Sequence, residues 1–383
     1  MKKTFIILLA ALLAGCSDTV VRTISVTNPS DDYRVLEPVF VPLSDLQQDI
    51  SNFSMLKLKD EEGQELPYQL VGYPEASLLF FATTKAHFSS KYTLVEGKPA
   101  EVKPLVSARF VPERKDDFAW ENDLAAYRMY GPALAPENPS NGVDLWLKCT
   151  DELIVDSFYY REHELHLPYH INYGKGLDCY KVGHTCGAGG LVVLAAGKFE
   201  DKLYVGNAYD RWEILEQTPD KFVFKLEYDS FLVEGNVLHE SITITAEAGQ
   251  MLNKAQVVLT CANEYKGAEL WVGGGIYLHD TIDNSYTCDH CGIIAYAEDA
   301  LSDKNAAQMN YEYNGSSSQG RSYIAVVTPH GGWQEIKDNT LFSVQPYQLG
   351  DTLTYFFGAC WSEWSNEDQS FPTDQDWFDG LQW

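Results

Sequence analysis

A two-residue rhythm of apolar side chains does most to narrow the fold. Phe222, Phe224, Leu226 and Tyr228 recur at alternate positions, with Lys221, Lys225 and Glu227 among the residues around them. Ile242, Ile244 and Ala246 alternate with Ser241, Thr243 and Thr245, and Leu353, Tyr355, Phe357 and Ala359 repeat the pattern near the end. Side chains alternate faces along a strand, so this rhythm predicts strands with one apolar face each. Long helical periodicity is scarce. Aromatic residues make up 13% of the chain, which suits pleated, half-buried surfaces. Glu62-Gly63, Asn314-Gly315-Ser316 and His330-Gly331-Gly332 punctuate the runs as turns. The expected class is mostly β, built from stacked antiparallel sheets.

Residues 20–99 read as a small β-sandwich-like unit. Segments 22–27, 35–41, 56–58, 69–71, 78–82 and 92–95 have strand character at short spacing. Glu96-Gly97-Lys98-Pro99 marks a boundary, which leaves 100–383 for a larger domain. Gly315-Ser316-Ser317-Ser318 is the one low-complexity tract, expected at a loop tip.

The first residues describe an export signal. Met1-Lys2-Lys3 precedes an apolar run from Phe5 to Ala14, and Leu13-Ala14-Gly15-Cys16 fits a lipobox. The run is shorter than the roughly 20 apolar residues of a transmembrane helix. Residues 1–16 are therefore expected to be a lipoprotein signal peptide ending at lipidated Cys16. The rest would lie outside the cytoplasm, tethered to the cell envelope at the outer membrane and not embedded. A secretory signal with an accidental cysteine is the alternative. The net charge of -27 repels phosphate backbones and excludes nucleic acid as a partner. A site for acidic sugars must then concentrate its Arg and Lys locally. Of eight cysteines, one is Cys16, and the odd remainder leaves at least one unpaired in an oxidising compartment. Cys288-Asp289-His290-Cys291 is the only close pair. A lone C-x2-C is a weak zinc signal, because four ligands are normally needed.

Three stretches look like parts of a site. In the first, Trp120-Glu121-Asn122-Asp123 precedes Tyr127-Arg128-Met129-Tyr130-Gly131. Tyr127 and Met129 share one strand face, Arg128 points to the other, and Tyr130 lies opposite Arg128 at the strand end. Guanidinium, amide and aromatic groups collected so closely suit a carboxylate-bearing or hydroxyl-rich ligand. The competing role for Arg128 is a structural clamp with Glu121 or Asp123. The second stretch, 168–190, is rich in glycine but has no G-K-[ST], so it is not a nucleotide loop. It presents His170, Tyr173, Lys175, Asp178, Tyr180 and His184, which include common general acids and bases. His170 and His184, with Asp178 or His166, are also candidate ligands for a divalent metal. His163 and His166 read as hydrogen-bonded structural residues. The third stretch joins 271–279 with 356–364, where His279, Glu363 and Trp364 are candidates for lining one cleft. Trp271 and Trp361 read as core.

Together, the blocks Trp120-Glu121-Asn122-Asp123, 127–134, 142–148 and 174–190 resemble the domain of unknown function 4861 family over nearly the whole chain after the leader. The resemblance implies an exported protein of polysaccharide-degrading Bacteroidota with a galactose-mutarotase-like β-supersandwich. It implies company with hydrolases of unsaturated uronic-acid sugars, and a dehydratase activity on uronic-acid-ended oligosaccharides in a related group. Cys149, Cys179 and Cys186 depart from the family's pattern. No catalytic map comes with the resemblance.

Elimination at a uronic acid needs a group that holds the carboxylate, a base for the neighbouring proton and an acid for the departing oxygen. Arg128 and Asn122 are the expected carboxylate ligands. His170 or His184 is the expected base, and Tyr130 or Tyr180 the acid. Lys148, Asp178, His279, Glu363 and Trp364 complete the expected substrate site. The expected partner is a uronic-acid-containing oligosaccharide. No cofactor is expected, with a divalent metal left open. Two other classes remain: a non-catalytic glycan-binding lipoprotein, which needs the same aromatic faces without the acid and base, and a glycoside hydrolase with paired carboxylates from Asp144, Asp178 or Glu363.

Overall fold

The structure is a computed structural model. It describes residues 5–9, 19–30, 34–46, 53–71, 77–99, 103–137, 140, 142–197, 200–279, 284–288, 292–300, 319–330, 332–364 and 371–381. Cys16, His290, Cys291 and the tract 315–318 lie outside the described residues.

Each alternating run becomes a strand with its apolar side chains inward. Phe222, Phe224, Leu226 and Tyr228 lie on Lys221–Val233, Ile242, Ile244 and Ala246 on Asn236–Glu247, and Leu353, Tyr355, Phe357 and Ala359 on Thr352–Trp361. All are buried, and each large one contributes roughly 1.5–3 kcal/mol relative to an exposed position. These strands belong to one eight-stranded antiparallel sheet. Its order is Arg211–Gln217, Lys221–Val233, Asn236–Glu247, Leu252–Cys261, Thr352–Trp361, Arg321–Val327, Ile293–Asp299 and Asn284–Cys288.

The chain divides into two units, Met1–Pro104 and Leu105–Trp383. In the first, a five-stranded sheet and a three-stranded sheet close over Ile24, Val41, Leu58, Leu78, Phe80 and Leu94. Phe5–Leu9 pairs antiparallel with Val20–Asn28 as the outermost strand of the larger sheet. That strand falls inside the expected leader. Cleavage before Cys16 would remove it and leave Val20–Asn28 as the edge. No helix among the described residues is long and apolar enough to cross a membrane.

In the second unit two five-stranded sheets share a core with the eight-stranded one. One runs Lys202–Tyr204, Ala188–Ala196, Glu269–Tyr277, Thr340–Tyr347 and Trp333–Lys337. The other runs Gly176–Asp178, Asp144–Lys148, Ala125–Met129, Asp117–Glu121 and Ser107–Val111. A parallel bridge from Val143 to Gly187 links them. Gly187 has φ +64°, and a Cβ there would strike the Val143 carbonyl, so this junction requires glycine.

The last of these sheets positions the site. Phe118, Trp120, Tyr127, Met129, Leu145 and Leu147 enter the shared core. Period two then sends Asp117, Glu121, Arg128, Asp144 and Lys148 to the opposite face. The helix Val155–Glu164 covers that face, with Val155, Phe158 and Tyr159 packed among Ala119, Ala126, Trp146 and Tyr169. A face loaded with charge is thus fully buried.

Candidate functional site

Strand register assembles the centre. Arg128 stands directly opposite Asp144 on one neighbouring strand and Ala119 on the other, which puts Asp117 one diagonal step away. Asp178 joins from the next strand, opposite Trp146. The Arg128 Nε donates to Asp144 Oδ2 at 2.7 Å, and Nη2 pairs with the same carboxylate. Nη2 also reaches Asp178 Oδ2 at 3.2 Å, while Nη1 reaches Tyr169 Oη at 3.2 Å and Asp117 Oδ2 at 3.4 Å. The rings of Trp146, Tyr130 and Tyr169 surround the guanidinium at 5.2, 5.3 and 5.5 Å. Two residues beyond Arg128, Tyr130 keeps to the same side by period two, not the opposite side expected from the sequence, and its ring meets the guanidinium. The structural partners of Arg128 are these aspartates, not Glu121 or Asp123.

One buried guanidinium faces three carboxylates, and two of them, Asp117 and Asp178, hold a proton more tightly than usual, chiefly through burial. Burial raises the Asp117 carboxyl to about 6, against the attraction of Arg128. Burial and the Asp144 charge raise Asp178 to about 7. Asp117 Oδ1 is buried with no hydrogen-bond partner, a state that costs free energy.

This network opens on a cavity of about 260 Å³ lined by Arg114, Arg128, Tyr130, Asp144, Tyr169, His170, Asp178, Cys179, Tyr180, Lys181, Val182 and Gly183. The space lies just below the roughly 300–1,000 Å³ of sites for drug-sized ligands. Larger clefts exist beside Asp60 and Lys91, at about 390 Å³, and beside Lys254 and Phe371, at about 470 Å³. Neither is lined by a buried acidic or basic side chain such as Arg128, Asp144 or Asp178, so chemistry outweighs size in choosing the site.

Within the cavity, the His170 Nδ1 lies 3.0 Å from the Asp178 carbonyl oxygen and 3.6 Å from its Oδ2. A carbonyl only accepts, so Nδ1 bears a hydrogen, and the tautomer this selects carries its lone pair on Nε2. The Tyr130 hydroxyl bonds no described residue, and burial beside Asp144 holds it well above the ordinary phenol value. Arg114 adds a second guanidinium, whose Nη1 is buried without a partner. Lys181 adds an exposed ammonium at the rim.

The other expected site residues take different places. The Tyr180 ring lines the cavity, but its hydroxyl is committed to the carbonyls of Tyr277 at 2.6 Å and Gly187 at 3.2 Å. That proton is held by the backbone. His184 is exposed and does not line the cavity. His279 packs edge-on against Tyr180 at 4.6 Å, outside the lining. Asn122 is a clamp between sheets. Its Nδ2 donates to the carbonyls of Glu247 and Gln250, and its Oδ1 accepts from the amides of Leu124 and Ala125. Lys148 is buried against Glu121 and the Asn122 carbonyl. Glu363 sits beside Ser362 and Gly320, and Trp364 is buried with an unpartnered indole N–H. Among the described residues no group of three or more His, Cys, Asp or Glu is placed to hold a metal ion. The described cysteines, Cys149, Cys179, Cys186, Cys261, Cys288 and Cys360, are free thiols.

Sequence reasoning passed over Arg114, Asp117, Tyr169 and Lys181. A signal for Asp117 was present: Asp117-Phe118-Ala119-Trp120-Glu121 and Asp144-Leu145-Trp146-Leu147-Lys148 both alternate charge with large apolar residues. Such a strand buries its charged face if anything covers it. Arg114 and Lys181 carry no such periodic mark.

The family described as Domain of unknown function (DUF4861) matches residues 26–382. A protein of Formosa agariphila described as uncharacterized protein P7 is 25% identical over 392 residues, covering 97% of this chain and 93% of its own. A glycosyl hydrolase family 38 protein of Enterococcus faecalis superposes with TM-score 0.42 at 8% identity, over 88% of this chain and 44% of that one. An alpha-mannosidase of Enterococcus faecalis V583 gives 0.41 at 7% identity, over 88% and 42%. The chain spans less than half the length of either structure.

Proposed function

The chain belongs to the DUF4861 family, and we propose that it is a carbohydrate-active lipoprotein that eliminates across a uronic-acid unit bound in the Arg128 cavity. The observation that carries this reading is the pairing of His170, whose Nε2 is left basic, with Tyr130, whose phenol keeps its proton, on the walls of one cavity. The His170 Nε2 takes the proton on the carbon next to the carboxylate. That carbon's electron pair forms a double bond to carbon four, and the oxygen at carbon four leaves with the Tyr130 proton. Water departs in a dehydration and an alcohol in chain cleavage. Solvent exchange returns both side chains to their starting states. Arg114 and Lys181 replace Arg128 and Asn122 as the groups that receive the carboxylate, because Arg128 is saturated by three aspartates and Asn122 by backbone. Asp178, half-protonated near neutrality, offers the carboxylate a hydrogen-bond donor where three ionised aspartates would repel it.

A glycoside hydrolase stays as a second reading on one observation, the raised Asp178 carboxyl, which suits a general acid. Incubation with uronic-acid oligosaccharides separates the two. Elimination yields a conjugated double bond that absorbs ultraviolet light, with one water lost at constant chain length or with two shorter products. Hydrolysis yields shorter products without new absorbance. A panel that binds but changes in neither absorbance nor mass leaves a glycan-binding protein. The lipid anchor is part of the same proposal and rests on Leu13-Ala14-Gly15-Cys16. Cys16→Ala should abolish incorporation of labelled fatty acid, and equal labelling of both proteins would remove the anchor.

A further inference from the structure

The residues 180–183 form one wall of the cavity, and two points at and just beyond the end of the strand Glu269–Tyr277 hold it. The Tyr180 hydroxyl donates to the carbonyl of Tyr277, the last residue of Glu269–Tyr277. Two residues on, the His279 Nε2 lies 2.7 Å from the carbonyl oxygen of Lys181. On its other side the His279 Nδ1 lies 3.0 and 2.9 Å from the two oxygens of Glu298. Tyr296 donates to Glu298 Oε2 at 2.8 Å, which fixes that carboxylate from the large sheet.

Both ring nitrogens of His279 therefore face groups that only accept. A neutral imidazole has one N–H and would leave one of these contacts with two lone pairs opposed. We propose that His279 is a positioning residue, held as an imidazolium between the Glu298 carboxylate and the Lys181 carbonyl, that fixes the 180–183 wall of the Arg128 cavity. It touches no substrate. It acts by tying the backbone that carries Lys181 to the rigid strand Ile293–Asp299.

The surroundings agree with a retained charge. Burial lowers the proton affinity of His279, but the hydrogen bond and charge of Glu298 and the Lys181 carbonyl together raise it above the ordinary value, against the Lys181 ammonium. The other faces are the rings of Tyr180 at 4.6 Å and Tyr277 at 5.4 Å. Cys179 also feels the Glu298 charge, which helps burial keep its thiol protonated. Loss of the His279 proton removes one of the two donors, so the wall loosens as pH rises through that titration.

The inference rests on the cavity being the ligand site, but its test needs no substrate. The full chain, labelled with 15N at its nine histidines, is titrated by NMR, with His279→Gln assigning the resonance. Amide exchange across 179–183 is followed by mass spectrometry over the same pH range. The expected wild-type result is a His279 titration midpoint above the ordinary value of roughly 6.5. Glu298→Gln keeps the shape and an acceptor but removes the charge, and should lower the proton affinity about tenfold or more, one pKa unit. Exchange across 179–183 should quicken in step with each protein's own His279 titration. A wild-type His279 midpoint at or below that ordinary value, or exchange that ignores the titration in both proteins, overturns the proposal. A protein that shows the clamp yet eliminates nothing would contradict the reaction and leave the clamp standing.

Discussion

Lys148 and Arg128 lie on the same face of the same sheet, both buried, yet their surroundings close differently. The Lys148 ammonium meets one carboxylate, Glu121, at 3.2 Å and one carbonyl, that of Asn122, at 2.6 Å. Glu121 in turn accepts the amides of Ile154 and Val155 at 2.7 and 2.9 Å, at the start of the helix Val155–Glu164. A helix N-terminus has free N–H groups and a positive end, so the carboxylate caps it. One cation, one anion and two orphan amides satisfy one another. Arg128 instead serves three aspartates, one of which keeps a buried unpartnered oxygen, and it opens on a cavity. Burial opposes ionisation in both clusters, lowering Lys148 and raising Glu121, Asp117 and Asp178. In the second cluster the raised values, about 6 for Asp117 and about 7 for Asp178, fall near neutral pH. The closed network is scaffold, and the open one is where we propose that the ligand binds.

The largest contrast is kinetic. His170→Asn should lower turnover on a uronic-acid oligosaccharide on the order of 10²–10⁴-fold, with the unfolding free energy nearly unchanged, since the ring is only half-buried. Retained turnover would separate the cavity from the chemistry. On the closed side, Lys148→Met leaves Glu121 buried without its cation. It should cost about 3–5 kcal/mol in denaturant unfolding without changing affinity in the protein that remains folded. A cost below about 1 kcal/mol, the level of an exposed ion pair, would mean that the two clusters do not differ as described.

Asn122→Ala should cost about 1–3 kcal/mol, because it strands buried backbone carbonyls and amides. Stability equal to wild type would make its four hydrogen bonds incidental. The smallest effect is on pH dependence. A carboxyl raised by folding lends its stability below the unfolded value of about 3.9 and loses it as pH rises through the folded value. For Asp117 and Asp178 that window runs from about 4 to about 7. The unfolding temperature should fall across it, and Asp178→Asn should flatten the slope and stabilise the protein at alkaline pH. An unchanged slope would show that Asp178 ionises normally.

The strands were legible because period two is a local property: each alternating run names its own buried face before any partner is known. The site was legible only in its parts. Arg128 and Tyr130 come from one stretch and His170, Asp178 and Tyr180 from another, and the cavity is where register brings them together. What register decides, composition does not show. Asn122 looked like a ligand because its partners, the carbonyls of Glu247 and Gln250, lie more than a hundred residues away. His170 and His184 share one glycine-rich loop and similar neighbours, and only the path of that loop puts the first in the cavity and the second in solvent. The charge on Asp117 and Asp144 was visible, but its burial depends on the covering helix.

The central claim is that the open cluster, and no other cleft, receives the acidic sugar. A crystal of the full chain soaked with a uronic-acid-ended oligosaccharide tests it most directly. The account predicts density in the Arg128 cavity, with the terminal carboxylate on Arg114 or Lys181 and the neighbouring ring carbon within reach of His170 Nε2. A sugar found instead in the cleft beside Lys254 and Phe371, with the Arg128 cavity empty, would contradict it.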